Sequence, residues 1–294
     1  MNASTTEQHE VVEKALREIS HIATLPEVTL RIVELVEDPT STAQDLHNVI
    51  SNDPALCSRI LKVVNSSFYG LPGQIGSINR AIVLLGLNAV KNIAISASLA
   101  KLFRGGQVSD NFSARDLWTH SVATAAAAKL VADELGLALT DEAFLAGLIH
   151  DIGIMVEMQA NRQQLAEVVD QIKIENGVPS ADMLELERQI MGADHQAFGK
   201  GLCEKWKFPA SFASVCGYHH NPLDLQTGER TLTMIIHVAD KLAARVADEG
   251  FALDVKNLEV DSAVLEELGL TREKFDAVAE RLPDELEEVE VMLS

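Results

Sequence analysis

The chain has 294 residues and is 47% hydrophobic but only 4% aromatic, enough apolar material for one large or two smaller cores of packed aliphatic helices. With 24 Lys+Arg against 44 Asp+Glu, a net charge of -20 and no basic run, it would repel a phosphate backbone, so no nucleic-acid partner is expected. Cys57, Cys203 and Cys216 are odd in number and lie among apolar neighbours, which predicts buried free thiols in a reducing, cytoplasmic compartment. In chain order, the start MNASTTEQHE lacks a basic-then-apolar signal, and the most apolar stretch, Ala81 to Phe103, is interrupted by Asn88, Lys91 and Asn92, so no membrane span is expected. Almost every segment carries a helical period, and no segment alternates as a strand does. Ser41-Thr42-Ala43-Gln44 and Ser113-Ala114-Arg115-Asp116 resemble capping boxes, Asp53-Pro54 places an acceptor before a first-turn proline, and Thr140 and Thr271 look like further caps. The polar break from Gly105-Gly106 to Asn111 divides the chain. The expected organisation is an N-terminal extension at 1–19, a helical half at 20–106, a second half at 107–250 and an acidic, solvated helical segment at 251–294.

The chemistry concentrates after that break. His120 lies on an amphipathic helix whose small residues, Ala123 to Ala128, allow a neighbouring helix to pack closely. His150 and Asp151 end an apolar helix, with Gly153 as its expected stop. Adjacent helical residues diverge by about 100°, so the pair can serve one site only near the helix end. His195 opens a helix, His219-His220 close another, and Asp240 is a carboxylate on a helix that otherwise reads as buried, where an unpaired charge is expensive. Imidazole and carboxylate together suit a borderline divalent ion such as Zn, Fe, Mn or Ni. Taken singly, His150-Asp151 also fits a helix-end hydrogen bond, and His219-His220 a solvated turn. His237 is a packed histidine by preference, or else a partner that orients a ligand. His9, His21 and His47 read as surface residues, and Trp118 and Trp206 as core anchors. No GxSxG or P-loop pattern is present, so a covalent serine nucleophile or a phosphate-cradling loop is not expected.

These residues resemble the HD superfamily of metal-dependent phosphohydrolases, and the chain as a whole is similar to its HDOD (HD-related output domain) branch of bacterial signalling proteins. The likeness is carried by LPEVTLRIVELVEDP, SNDPALCSRILKVVNSSFYG, SINRAIVLLGLNAVKNIAIS, LWTHS, LAGLIHDIG, ADHQAFGKGLCEKWKFP and the His-His-Asn-Pro run, from about Ser20 to about Ala244. It implies an all-α, multi-helix fold with an N-terminal helical subdomain packed on an HD-like one. It implies that His120, His150, Asp151 and Asp240 hold one ion, that His195, His219 and His220 hold a second, and that Asp151 bridges the two and would be the catalytic carboxylate. Asp116 falls where some HD-GYP enzymes, which the chain also resembles, place a further acidic ligand. Two such cations activate water and neutralise phosphate oxygens for in-line attack on phosphorus. The chain departs from the HD-GYP pattern at Ile154, where a lysine meets the substrate phosphate, and at Asn221-Pro222-Leu223-Asp224, which stands where the GYP loop would be. The resemblance therefore implies a signalling protein with a partner protein and a bound metal, with hydrolysis of a phosphate-containing small molecule as the alternative.

Overall fold

A computed structural model describes residues 5–19, 26–38, 40–66, 69–99, 102–103, 106–109, 112–175, 178–246 and 252–293. His21, Pro39, Gly105 and Asn111, all used in the sequence reading, lie outside them. The chain is all-α, as expected. After α1 (Thr5–Glu18), which falls in the N-terminal extension, helices α2 (Glu27–Glu37), α3 (Ala43–Ser51), α4 (Pro54–Val64), α5 (Ile78–Leu85) and α6 (Leu87–Leu99) make up the first half. α6 is its centre, touched by α2, α4 and α5. The polar residues that interrupt its apolar run are buried with it. Lys91 Nζ donates to the Leu35 carbonyl and, at 2.7 Å, to Ser41 Oγ, so the ammonium caps a helix end without needing solvent.

Cap chemistry explains several helix starts. Thr42 accepts from Asp45 N while Asp45 accepts from Thr42 N, a capping box one residue later than Ser41-Thr42-Ala43-Gln44 suggested. Asp53 accepts from Leu56 N in front of Pro54, as expected. Thr271 Oγ1 accepts from Lys274 N. Thr140 is a correction: it is the first helical residue, behind an N-cap Leu139 with no side-chain cap bond.

The break between the halves forms a two-stranded ribbon, β1 (Gln107–Ser109) with β2 (Phe112–Ser113), which feeds directly into α7 (Ala114–Glu134). α8 (Thr140–Ile149), α9 (Ile152–Ala160), α10 (Arg162–Gln171), the ribbon β3 (Ile174–Glu175) with β4 (Val178–Pro179), α11 (Met183–Met191), α12 (His195–Lys205), α13 (Ala210–Tyr218) and α14 (Thr231–Val246) follow. The fully buried alanine run of α7 does allow close packing. A Cβ on Gly147 of α8 would stand 2.6 Å from Ala125 Cα, so only glycine fits that crossing. α14 packs on both α7 and α8. α15 (Ser262–Leu268) and α16 (Arg272–Leu293) end the chain. α16 is more than the solvated acidic helix expected: Phe275, Val278, Leu282 and Val289 are buried and it packs along α7.

The stretch Thr140–Ala160 has the length and apolarity to cross a membrane but is 89% buried within the fold. Its interior location explains the hydropathy. Cys203 and Cys216 meet at an Sγ–Sγ distance of 3.4 Å as buried free thiols, and Cys57 is half-buried.

Candidate metal centre

Helix ends deliver most of the candidate residues to one point. α8 and α9 are separated only by His150 and Asp151, whose backbone (Asp151 φ -97°, ψ 18°) turns the chain. The pair therefore projects from a junction, and the divergence of neighbouring side chains on a continuous helix does not apply. His195 is the first residue of α12 and His219 caps the C-terminus of α13, while His120 on α7 and Asp240 on α14 come from the middle of buried helices. His120, His150, Asp151, His195 and His219 are 0% exposed and Asp240 is 1% exposed, so these six side chains are withdrawn from bulk water.

His120 Nε2 lies 3.0 Å from Asp240 Oδ1 and 3.8 Å from Asp151 Oδ2. His150 Nε2 lies 3.1 Å from Asp151 Oδ2, and His219 Nε2 and His195 Nε2 lie 3.3 and 3.8 Å from Asp151 Oδ1. His220 is half-buried, its Nε2 3.1 Å from His195 Nε2. All the principal sequence-predicted ligands thus converge. Asp116 does not join them. Its carboxylate accepts from Ser113 N at 2.7 Å and Ser113 Oγ at 2.8 Å, completing the capping box of α7.

The imidazoles are fixed from behind. His150 Nδ1 donates to the Gly147 carbonyl at 2.7 Å and His219 Nδ1 to the Val215 carbonyl at 3.1 Å. His195 Nδ1 donates to Glu187, whose two oxygens lie 2.9 and 3.0 Å away, and Glu187 also accepts from His195 N. Acceptors behind Nδ1 hold the proton there, so Nε2 is the nitrogen that faces the centre and would give up its proton to an ion, the arrangement that orients histidines for metal binding. His237, read from sequence as a packed histidine, is buried and donates Nδ1–H to the His219 carbonyl at 2.7 Å. Burial pushes its imidazole down to about 4, so it stays neutral.

The donor atoms fall into three overlapping groups, each within 4.8 Å: Asp151, His195, His219, His220 and Asp254; His120, His150 and Asp151; and His120, Asp240 and Asp254. Both oxygens of Asp151, Oδ1 of Asp240, and Nε2 of His150 and His219 make no hydrogen bond of good geometry among the described residues, their polar neighbours being the other groups of the centre at 3.0–3.3 Å. Buried polar atoms are normally satisfied, and these orphans all face one space. Nitrogen and carboxylate donors in that space fit a divalent ion.

Titration follows from the same crowding. Burial would raise the Asp151 carboxyl, but His150 and His219 outweigh it and hold the group well below the usual carboxylate range. Burial would lower His150, but Asp151 and Asp240 overcome it and lift the imidazole to about 9. His195 is lifted well above the usual range by Glu187 against the same desolvation. Burial and then the neighbouring His219 and His195 push His220 well down, so it is neutral. In the metal-free protein, protons therefore do the neutralising that an ion would do.

Sequence reasoning missed Glu187, Glu157 and Asp254. Glu187 and Glu157 carried the same signal as Asp240, an acid on an otherwise apolar helical face, with Met183, Leu184 and Met191 around Glu187. Burial and Glu187 push the Glu157 carboxyl well above its usual range. Asp254 stands in a non-helical stretch with no period to expose it. Ile154 is fully buried, so no cation replaces it at that position.

Similarity to known proteins extends over the same segments. The description HDOD domain matches residues 22–222. A protein of Treponema pallidum (strain Nichols) is 26% identical over 204 residues, covering 69% of this chain, and the chain spans 38% of the length of that relative. Two solved structures share the fold: an HDOD domain protein of Geobacter sulfurreducens (TM-score 0.77, 20% identity, 97% of each chain covered) and a candidate signal transduction protein of Marinobacter aquaeolei VT8 (TM-score 0.73, 22% identity, all of this chain and 67% of the other). A candidate phosphohydrolase of Shewanella amazonensis SB2B superposes with a TM-score of 0.71 at 21% identity, covering 97% of this chain and 98% of the other. With the family match spanning α2 to α6, the ribbon β1–β2 and every helix that carries a centre histidine, the chain belongs to the HDOD domain family.

Proposed function

We propose that this is a bacterial, cytoplasmic signalling protein whose HD-type centre holds divalent transition metal, two ions in its complete ligand set, and whose output is a contact with a partner protein. The observation that carries the reading is the set of buried, tautomer-fixed Nε2 atoms and orphaned carboxylate oxygens around Asp151. His120, His150, Asp151 and Asp240 would hold one ion, and His195, His219 and His220 with Asp151 the other. An ion there supplies Lewis acidity and an activated water.

Ile154 and the Asn221-Pro222 run in place of a GYP loop weigh against turnover. The second reading, a phosphohydrolase acting on a phosphoester, nucleotide or cyclic dinucleotide, is favoured by one observation: a cavity of about 290 Å³ at His220 and Asp240 has Arg188, Lys241 and Lys256 in its lining, cations suited to a phosphate, beside the carboxylates of Asp182, Glu185 and Asp254. Elemental analysis should find about one or two transition-metal ions per chain. Phosphate release from a panel of these substrates with Mn(II) or Fe(II) supplied should be absent. Turnover that disappears in Asp151→Ala would establish the hydrolase instead.

Metal and protons should compete. His150, at about 9 in the fold against 6.5 free, contributes stability that is fully present below pH 6.5 and is lost as pH rises through 9. The Tm of metal-free protein should therefore fall across that window, while the apparent affinity for Mn(II) rises. Calorimetric titration in buffers of different ionisation enthalpy should register proton release on loading, and a pH-independent affinity would contradict the assignment.

A further inference from the structure

Residues 252–261 lie at the mouth of the centre, held where Lys241 Nζ donates to the Asn257 carbonyl and Arg245 Nη2, at 2.5 Å, to the Leu258 carbonyl. Asp254 lies on the inner side of this stretch. It is 4% exposed, its Oδ2 is 3.4 Å from His220 Nε2, and neither oxygen has a hydrogen-bond partner among the described residues. A carboxylate withdrawn from water without donor or cation is costly, and an asparagine or leucine would occupy the position at less expense. Its placement supplies the missing compensation. An Asp254 oxygen lies within 4.8 Å of the donor atoms of Asp151, His195, His219 and His220, and also within 4.8 Å of those of His120 and Asp240. Asp151 is the other carboxylate that joins a His120 group to the His195 group.

We propose that Asp254 is a metal ligand, a carboxylate shared by both halves of the centre and supplied from beyond the segment, 22–222, that defines the family match. The proposal rests on the metal-bound reading given under Proposed function. It makes the centre more enclosed than its histidines alone would, because an anion entering the cavity lined by His220, Asp240 and Lys241 meets a carboxylate already lodged there.

The test compares wild type, Asp254→Asn and Asp151→Ala by calorimetric titration with Mn(II) alone and by melting with and without Mn(II). Asp254→Asn removes the charge and keeps the shape. It should weaken Mn(II) binding by roughly 10- to 100-fold, at least the loss seen when a group that merely orients a ligand is removed. The metal-free variant should melt no lower than metal-free wild type, since an uncompensated buried charge has gone, and Mn(II) should raise its Tm by less than it raises that of wild type. An equal Mn(II) affinity and an equal metal-induced Tm rise in Asp254→Asn would overturn the proposal while leaving the metal centre intact, provided that Asp151→Ala weakens binding by at least about tenfold. Absence of Mn(II) binding in wild type would overturn both readings together.

Discussion

Asp151→Ala should leave the protein folded and lower its bound transition metal at least tenfold. Asp151 is the carboxylate within reach of His120, His150, His195 and His219, with one oxygen toward each pair, so its loss takes a ligand from both halves of the centre at once. The neutralising anion goes with it, leaving imidazole nitrogens facing one another. Removal of groups that only orient ligands costs 10- to 100-fold in affinity, and a shared ligand should cost at least the lower figure. Elemental analysis of the purified variant, with helical content checked by circular dichroism, measures this directly. Asp116→Ala is the matched comparison. It should lose about 1 kcal/mol of stability with its capping-box bond to Ser113 and keep the full metal content. Equal metal loss in the two variants would contradict the separation of Asp116 from the centre.

Gly153→Ala should be the most damaging glycine-to-alanine change among the described glycines. Sequence marked Gly153 as a helix stop, yet it lies inside α9, where a Cβ would stand 1.9 Å from the His195 carbonyl oxygen and 2.7 Å from Gly199 N. Both obstacles are backbone, so a rotamer change relieves neither. α9 and α12 would have to separate, and that crossing lies directly beneath Asp151 and His195. Overpacking of this kind costs about 3 kcal/mol or more at its upper end. That corresponds to a fall in Tm of roughly 6–12 °C. Metal affinity should fall as well, because the displaced helix begins at a ligand. A thermal melt within 2 °C of wild type, to the nearest order expected of a surface change, would show that the helices do not approach as closely as described.

Much of the centre was legible because the signals were local. A His-Asp pair at the end of an apolar run, an acid on a buried helical face at Asp240 and a capping box at Ser113 each follow from spacing that a few consecutive residues carry. Asp116 shows the limit of spacing taken alone. One helical turn before His120 it had the position of a ligand, but its N3 place in the capping box brought it within 2.7 Å of Ser113 N, and that bond took the carboxylate. Gly153 and Asp254 fall outside such reasoning. What Gly153 does depends on a helix that begins forty-two residues later, at His195, and what Asp254 does depends on the path of a coil lying at the mouth. Neither long-range approach leaves a period in the chain. Glu187 differs, since an acid among Met183, Leu184 and Met191 was visible and would have been found by the argument applied to Asp240.

The acceptors behind His150, His195 and His219 have a thermodynamic corollary. Ring rotation is already arrested by carbonyls and a glutamate before any ion arrives, so the entropy of ordering these rings is lost when the polypeptide folds and not when the cation enters. Loading is then insertion into a rigid cradle, unlike zinc fingers, whose folding waits for the ion. Selection among first-row cations falls to the bond lengths and angles that the cradle tolerates.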